Sequence, residues 1–376
     1  MPARRTPWIA LCTLAALIGV ARPCAAQERE GGAAARDDGT RPGPFRPEQP
    51  AERKPAAETP ELSFRALLQT QLRSTTVTGE RSPEIFLRRL RVGVRAVFGK
   101  LSGFIEPGFV REDAVLNEAY ARLELHEMLA IVAGKASRPF AIIDALDDFA
   151  VVPIERGARI PGLRTLEQYR LHKSLAYVGR SLGAQITGEL EDVLGLRYAA
   201  GYFRGARGED LGGDPDIRQF AAHVSIVPRK RLRIGAAFTN RDFACTTCDG
   251  RPNERASAVA LDAQLGRYGD EGTHLLAQVS AGVLDPFEDA NFVGAQGWAA
   301  HRFTVRRGLL GAVEPLIRVS WASPTKSESP NGGVLVTSGL NVYFATVGRL
   351  ALNHDAWFSE SGARASSAKV QWQVAF

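Results

Sequence analysis

From residue 61 onward, apolar and polar side chains alternate along the chain with a period of two. In the first such segment Leu62, Phe64 and Leu68 occupy one set of positions, and Arg65 and Gln69 occupy the other. Successive side chains of a β-strand point to opposite faces. The pattern therefore predicts a strand of about eleven residues with one apolar face.

The second segment repeats this alternation and predicts a strand over 86–98. It places Phe86, Arg88 and Leu90 on the apolar face and Arg89 and Arg91 on the polar face. The same pattern recurs along the rest of the chain and predicts about sixteen strands. After the first two they span 101–110, 118–125, 129–135, 181–189, 194–203, 217–227, 232–240, 256–265, 273–283, 293–301, 312–321, 333–344, 349–358 and 368–376.

The connections between the predicted strands alternate in length. Short ones include 99–100, 191–192 and 228–231, whereas longer polar ones fall at 74–84, 136–180, 204–216, 241–255, 285–292 and 322–332. An up-and-down barrel of the outer-membrane type has short periplasmic turns at one rim and longer external loops at the other. The predicted fold is therefore all-β: a transmembrane antiparallel up-and-down β-barrel with a long third external loop.

The first 60 residues differ from the rest of the chain. Arg4 and Arg5 precede an apolar stretch over 8–20, and small residues at 24–26 precede Gln27, so residues 1–26 are predicted to be a secretory signal peptide. Residues 27–60 are charged and rich in Pro and Ala, a composition that predicts a disordered periplasmic segment. The barrel itself is assigned to 61–376.

The amino-acid composition excludes some classes of protein. The chain is 45% hydrophobic with a mean hydropathy of −0.13, and outside the signal region it contains no apolar run long enough for a spanning helix. The formal net charge is +6 over 376 residues, which is not the dense basic surface of a nucleic-acid-binding protein. Both observations are compatible with a β-barrel, whose apolar residues are dispersed by alternation.

The last predicted strand carries an independent signal. Val370, Trp372, Val374 and Phe376 alternate with polar residues, and the sequence ends on the aromatic ring. This ending resembles the C-terminal signature of bacterial outer-membrane barrels. The resemblance implies recognition of the last strand, through Phe376, by the barrel assembly machinery.

Six segments taken together resemble the phosphate-selective porins of the O and P type. They are FLRRLRVGV (86–94), NEAYARL (117–123), VAGKASRPF (132–140), GRSLGAQITG (179–188), LRYAAGYFRG (196–205) and VEPLIRVS (313–320). The resemblance implies a sixteen-stranded, water-filled, homotrimeric barrel in outer-membrane lipid, whose third external loop folds into the lumen. It also implies uptake of small anions, phosphate among them, along basic residues of the pore.

The polar faces of the predicted strands carry more basic than acidic residues, which predicts a lumen that favours anions. The predicted pore-lining and anion-binding residues are Arg65, Arg73, Arg89, Arg91, Arg95, Arg122, Arg197, Arg233, Arg318 and Lys369. The acids on the same faces are Glu106, Glu124, Asp262, Glu314 and Asp355. A guanidinium suits bidentate phosphate contacts. Alternatively, the basic and acidic side chains pair with each other and stiffen the wall.

Three further observations bear on this alternative and on the constriction. Arg89, Arg91 and Arg95 lie on one strand as like charges two residues apart, which makes them the hardest to explain as ion pairs. The small number of lysines does not match the lysine cluster of the phosphate-selective family. Loop 136–180 is the predicted constriction, and its candidate residues are Lys135, Arg138, Arg156, Arg159 and Arg164.

Two short motifs receive structural interpretations. Cys245 and Cys248, in a polar loop, are predicted to form a disulfide in an oxidising compartment. Residues 179–183 match the G-x-S-x-G pattern of hydrolases, but they open an alternating strand, so no enzymatic activity, metal site or cofactor is predicted. The predicted function is an outer-membrane porin for passive diffusion of small anions. The alternative is a non-conducting barrel that serves as a structural or surface-interaction anchor.

Overall fold

The computed structural model describes residues 59–376 except 78, 111–112, 127, 149, 159–166, 205–216, 244–253, 325–331 and 345–347. The predicted signal peptide and residues 27–58 lie outside this part of the chain. So do Arg159, Arg164, Cys245 and Cys248.

Sixteen antiparallel strands form one closed barrel in which every strand pairs with its neighbours in sequence and β1 pairs with β16. The prediction of a sixteen-stranded up-and-down barrel is confirmed. The strands are β1 Glu61–Val77, β2 Glu80–Phe98, β3 Leu101–Val110, β4 Asp113–His126, β5 Leu129–Ser137, β6 Arg180–Leu190, β7 Leu196–Arg204, β8 Arg218–Arg229, β9 Leu232–Phe243, β10 Glu254–Leu265, β11 Gly272–Asp285, β12 Ala290–Arg307, β13 Leu310–Pro324, β14 Gly333–Phe344, β15 Gly348–Ser359 and β16 Arg364–Ala375.

The barrel closes where the first and last strands meet. Leu68 lies opposite Val374, and Ala66 and Phe376 exchange backbone hydrogen bonds of 3.1 and 3.0 Å. The C-terminal aromatic residue is therefore part of the seam that removes the last open strand edge.

The outer surface of the barrel is apolar. Exposed aromatic residues lie near both strand ends: Phe64, Phe98, Phe303, Trp372 and Phe376 at the end carrying the C-terminus, and Phe109, Tyr202, Phe220, Phe238 and Phe358 at the opposite end. Two aromatic belts flanking an apolar band are typical of barrels that span a lipid bilayer. Among the described residues, no helix is long and apolar enough to cross a membrane.

Two details of the predicted strands were wrong. The polar stretch 74–84 is a hairpin rather than a long loop, since β1 continues to Val77, which pairs with Glu80. The β-branched residues Thr75, Thr76 and Val77 favour strand. In β2 a bulge makes Gln69 pair with Arg89 and Thr70 with Leu87. Because a bulge inserts one residue, it reverses the predicted faces before Arg89.

The long third loop connects β5 to β6 and packs inside the barrel. It contains two short helices, α1 (Ile142–Ala145) and α2 (Gln168–Ser174). Its apolar side chains belong to three buried clusters that also include inner-wall residues of the barrel. The loop is therefore part of the protein core rather than a surface segment.

Candidate functional site

The site to which the predicted residues belong is the lumen, and the third loop divides its inner wall into two parts. We call the part that contacts the loop, on β8–β16, β1 and β2, the loop-side wall. The other part lies on the halves of β2, β4, β7 and β9 that are nearest the C-terminus of the chain. It carries basic residues, and we call it the open wall.

Arg138 anchors the start of the loop. Its guanidinium is 2% exposed and donates hydrogen bonds to Ser181 Oγ at 3.1 Å, to Gln219 Oε1 at 2.8 Å and to the Val178 carbonyl. Burial lowers the pKa of Arg138 to about 10, so the side chain stays charged at neutral pH. Arg138 thus ties both ends of the loop to β6 and β8 and does not offer a free cation to the pore.

Asp148 is the first of three loop carboxylates that form ion pairs with the wall. It lies 2.9 Å from Arg89 and 2.5 Å from both Arg91 and Arg156. Burial alone would raise the pKa of Asp148, but the three guanidinium groups hold that pKa well below its usual range. Arg156 also donates to the carbonyls of the loop itself, so it braces the loop from within.

Glu155 is the second loop carboxylate and reaches two strands. It accepts from Arg88 of β2, and its other oxygen lies 2.8 Å from Lys369 of β16. Burial would raise the pKa of Glu155, but the neighbouring cations lower it. Lys369 also contacts Asp355 at 2.6 Å, and Arg318 joins Asp355 at 3.2 Å. The result is a buried network of alternating charge.

Asp147, the third loop carboxylate, extends the charged contact to β1. It lies 2.9 Å from Arg65, which also contacts Glu106 at 2.6 Å. Glu106 in turn lies 3.7 Å from Arg91. Farther along β1, Arg73 pairs with Glu84.

This arrangement offsets the repulsion between the like charges on β2. Most of the predicted pore-lining cations take part in ion pairs, among them Arg65, Arg73, Arg89, Arg91, Arg197, Arg318 and Lys369. The expectation that Arg89 and Arg91 resist pairing was wrong, because both share Asp148, which the loop delivers from outside their strand.

Apolar contacts hold the other side of the loop. Ile142 and Val152 pack with Leu276, Trp298 and Leu316 of β11–β13 in one buried cluster. Burying such side chains contributes about 1.5–3 kcal/mol each. This packing and the ion pairs of β1, β2 and β16 act on different faces of the same loop.

The α2 end of the loop forms an aromatic cluster with the wall. His172 lies 5.6 Å from Phe140 and 5.7 Å from Phe292, measured between ring centroids, and its Nε2 is 2.8 Å from Ser280 Oγ. Burial lowers the pKa of His172 to about 3, so the imidazole is neutral at physiological pH. Tyr177 completes this cluster.

The open wall presents four of the predicted arginines. Arg122 donates to Thr187 Oγ1 at 3.2 Å, Arg197 pairs with Glu189 at 2.6 Å, and Arg233 donates to Ser225 Oγ at 3.1 Å. With Arg95 they are half-buried rather than sealed. These arginines lie on β2, β4, β7 and β9, away from the charged contacts of the loop.

The remaining predicted residues of the constriction behave differently. Lys135 belongs to β5, not to the loop, and lies opposite the exposed Leu182. Arg156 is buried within the loop. Ser181 of the G-x-S-x-G match begins strand β6 instead of a helix and accepts from Arg138, so the strand–turn–helix geometry of a hydrolase elbow is not formed.

Sequence reasoning missed several lumen residues. Arg88 was assigned to the apolar face, and its charge on that face was the available sign of a bulge. Arg349 alternates into the lumen on β15 and donates to the Val151 carbonyl of the loop at 2.8 Å. Arg241 of β9 likewise donates to the Leu175 carbonyl. No local pattern indicates such loop-to-wall bonds.

No protein-family model and no curated protein sequence matches the chain. Among solved structures, it is similar to an anion-selective porin from Comamonas acidovorans, with a TM-score of 0.59 and 12% identity over 85% of this chain and 100% of that one. The outer-membrane channel DcaP of Acinetobacter baumannii matches with a TM-score of 0.57 and 10% identity over 85% and 99% of the two chains.

A third similar structure is the trimer form of OmpT, an outer-membrane protein of Vibrio cholerae. Its TM-score is 0.55 at 13% identity, over 85% of this chain and 100% of that one. The chain therefore has the fold of bacterial outer-membrane porins.

Proposed function

We propose that the protein is a passive diffusion channel for small anions in the outer membrane. The observation that carries this proposal is the row of half-buried arginines on the open wall, namely Arg95, Arg122, Arg197 and Arg233. Basic residues along a pore favour anions. The fold shared with an anion-selective porin supports the same interpretation.

Phosphate and other oxyanions are the proposed solutes, because a guanidinium can contact two oxygens of one oxyanion. A homotrimer is the proposed assembly, supported by the trimeric neighbour. Neither proposal changes the route, which runs along the open wall, away from the ion pairs that the described part of the loop makes.

The experiment is single-channel recording of refolded protein in planar bilayers under asymmetric KCl. We expect conductance steps and a reversal potential that favours chloride. Arg122→Gln should lower the chloride-to-potassium permeability ratio about twofold, since it removes one charge from the local potential of the pore. The matched control is Arg364→Gln, because Arg364 is exposed at the β15–β16 hairpin and should leave the ratio unchanged.

A second candidate function is a non-conducting barrel that acts as an anchor. The observation that favours it is the span of the loop, which contacts β1 and β16 through Arg65 and Lys369 and also contacts β12 on another part of the wall through Trp298. The recording decides between the two. A protein that inserts but gives no steps supports the anchor, and a reversal potential favouring potassium contradicts anion transport.

A further inference from the structure

The loop delivers negative charge to one group of adjacent strands. Three of its carboxylates, Asp147, Asp148 and Glu155, contact basic residues on β16, β1 and β2, which are neighbours in the barrel. The contacted side chains are Arg65, Arg88, Arg89, Arg91 and Lys369. Five basic wall residues thus face carboxylates that belong to a different part of the chain.

The carboxylates in these contacts are buried more deeply than most of their basic partners. The Asp148 side chain is 1% exposed, and those of Arg89 and Arg91 are 18% and 5% exposed. Charges in such surroundings are poorly screened, so removing one of them changes the potential of the adjacent lumen more than removing a surface charge does. The wall itself supplies few other carboxylates that could replace Asp148. Among the described wall residues only Glu106 approaches Arg91, at 3.7 Å.

We infer that Asp148 and Glu155 are specificity-determining residues, which act as built-in counterions and suppress the anion preference of the loop-side wall. This inference rests on the proposed channel function. It explains why the lumen contains many arginines, while the positive charge that is not offset by a loop carboxylate lies on the open wall. It also assigns the loop a role beyond narrowing the passage, since its acids decide which arginines a permeating ion senses.

The test is the reversal potential of Asp148→Asn in planar bilayers under asymmetric KCl. The amide keeps the size and the hydrogen-bond acceptor of the carboxylate but leaves Arg89, Arg91 and Arg156 without their shared counterion. The chloride-to-potassium permeability ratio should rise about threefold, the change that a shift of about half a kT in local potential produces, because anions and cations respond to it in opposite directions. Glu155→Gln should move the ratio in the same direction, and the rise should be larger at low ionic strength.

Two variants separate this role from a structural one. Asp192→Asn removes a carboxylate from the exposed β6–β7 turn and should leave the ratio unchanged. Asp148→Asn combined with Arg89→Gln restores the charge balance and should return the ratio toward the wild-type value. A packing defect alone would not be reversed by a second removal of an ion-pair partner.

The outcomes are distinct. Wild-type protein that gives no conductance overturns both the channel and this inference. Wild-type protein that conducts while Asp148→Asn leaves the permeability ratio unchanged overturns the inference alone. If Asp148→Asn fails to fold, Arg89→Gln serves instead: it should lower the ratio, because it removes one positive charge while the Asp148 carboxylate stays, and a rise would overturn the inference.

Discussion

The loop-side wall and the open wall use the same residue type for different purposes. On the loop-side wall, Arg318 is 1% exposed and donates hydrogen bonds to Thr337, Asp355 and the Glu155 carbonyl. On the open wall, Arg122 is half-buried and donates to a single threonine. An inward-facing arginine therefore does not by itself identify an ion pathway. Its partners determine whether it stabilises the fold or contacts a permeating solute.

The difference follows from where the countercharges come from. Strand neighbours can supply only the residues that register brings opposite, such as Arg197 with Glu189. The loop is free of that register and brings Asp148 between Arg89 and Arg91. Like charges two residues apart on one strand become favourable when a carboxylate from elsewhere bridges them.

The largest expected effect compares one arginine from each wall. Arg318→Gln should lower the free energy of unfolding by about 4 kcal/mol, since removing one partner of a buried ion pair leaves the other charge uncompensated. Arg122→Gln should cost less than about 1 kcal/mol, because its side chain is half-buried. Urea unfolding of both variants in lipid vesicles measures the difference, and equal losses would erase the distinction between the walls.

A smaller effect concerns the apolar contacts of the loop-side wall. Ile142→Ala should cost about 3 kcal/mol of unfolding free energy, because Ile142 is buried between the loop and β11–β13. Ile186→Ala is the matched control, since Ile186 is 45% exposed on the outside of β6 and loses no contact with the loop. A loss for Ile186→Ala as large as that for Ile142→Ala would show that the loop is not packed as a core element.

The third effect, small for each single pH unit, is a pH dependence that separates the aromatic cluster from the ion pairs. The pKa of His172 falls from 6.5 to about 3 on burial, so the unfolded chain binds a proton that the folded chain does not. Stability is fully present above pH 6.5 and should fall by about 1.4 kcal/mol per pH unit below it. Asp148, whose pKa is held low, should add to the loss only below about pH 4.

Unfolding measured between pH 7 and 4 in wild type and His172→Phe checks this sign. The phenylalanine ring keeps the aromatic contacts with Phe140 and Phe292 but carries no titrating group, so the slope should become clearly shallower. His126→Gln, a change at an exposed turn, should retain it. An unchanged slope in His172→Phe would assign the pH dependence to another group.

The strands were predictable because alternation is a local property. Each strand turns one face to lipid and the other to the lumen, so the period of two is visible within a single segment such as Leu62–Leu72. The two errors in the predicted strands also have local causes. Threonine-rich residues 74–77 extend the first hairpin beyond the apolar band, and the bulge beside Arg88 shifts the faces of one strand.

The candidate site was predictable only as a set of lumen positions. The sequence alone determined the barrel and the inward direction of most of the arginines, because these follow from periodicity. Only the tertiary structure decided which arginines are neutralised. Lys369 and Glu155 are separated by 214 positions in sequence and meet only because the third loop folds into a barrel that closes β16 onto β1. Charge pairing depends on distances of a few ångströms, and no local pattern encodes a distance between residues so far apart.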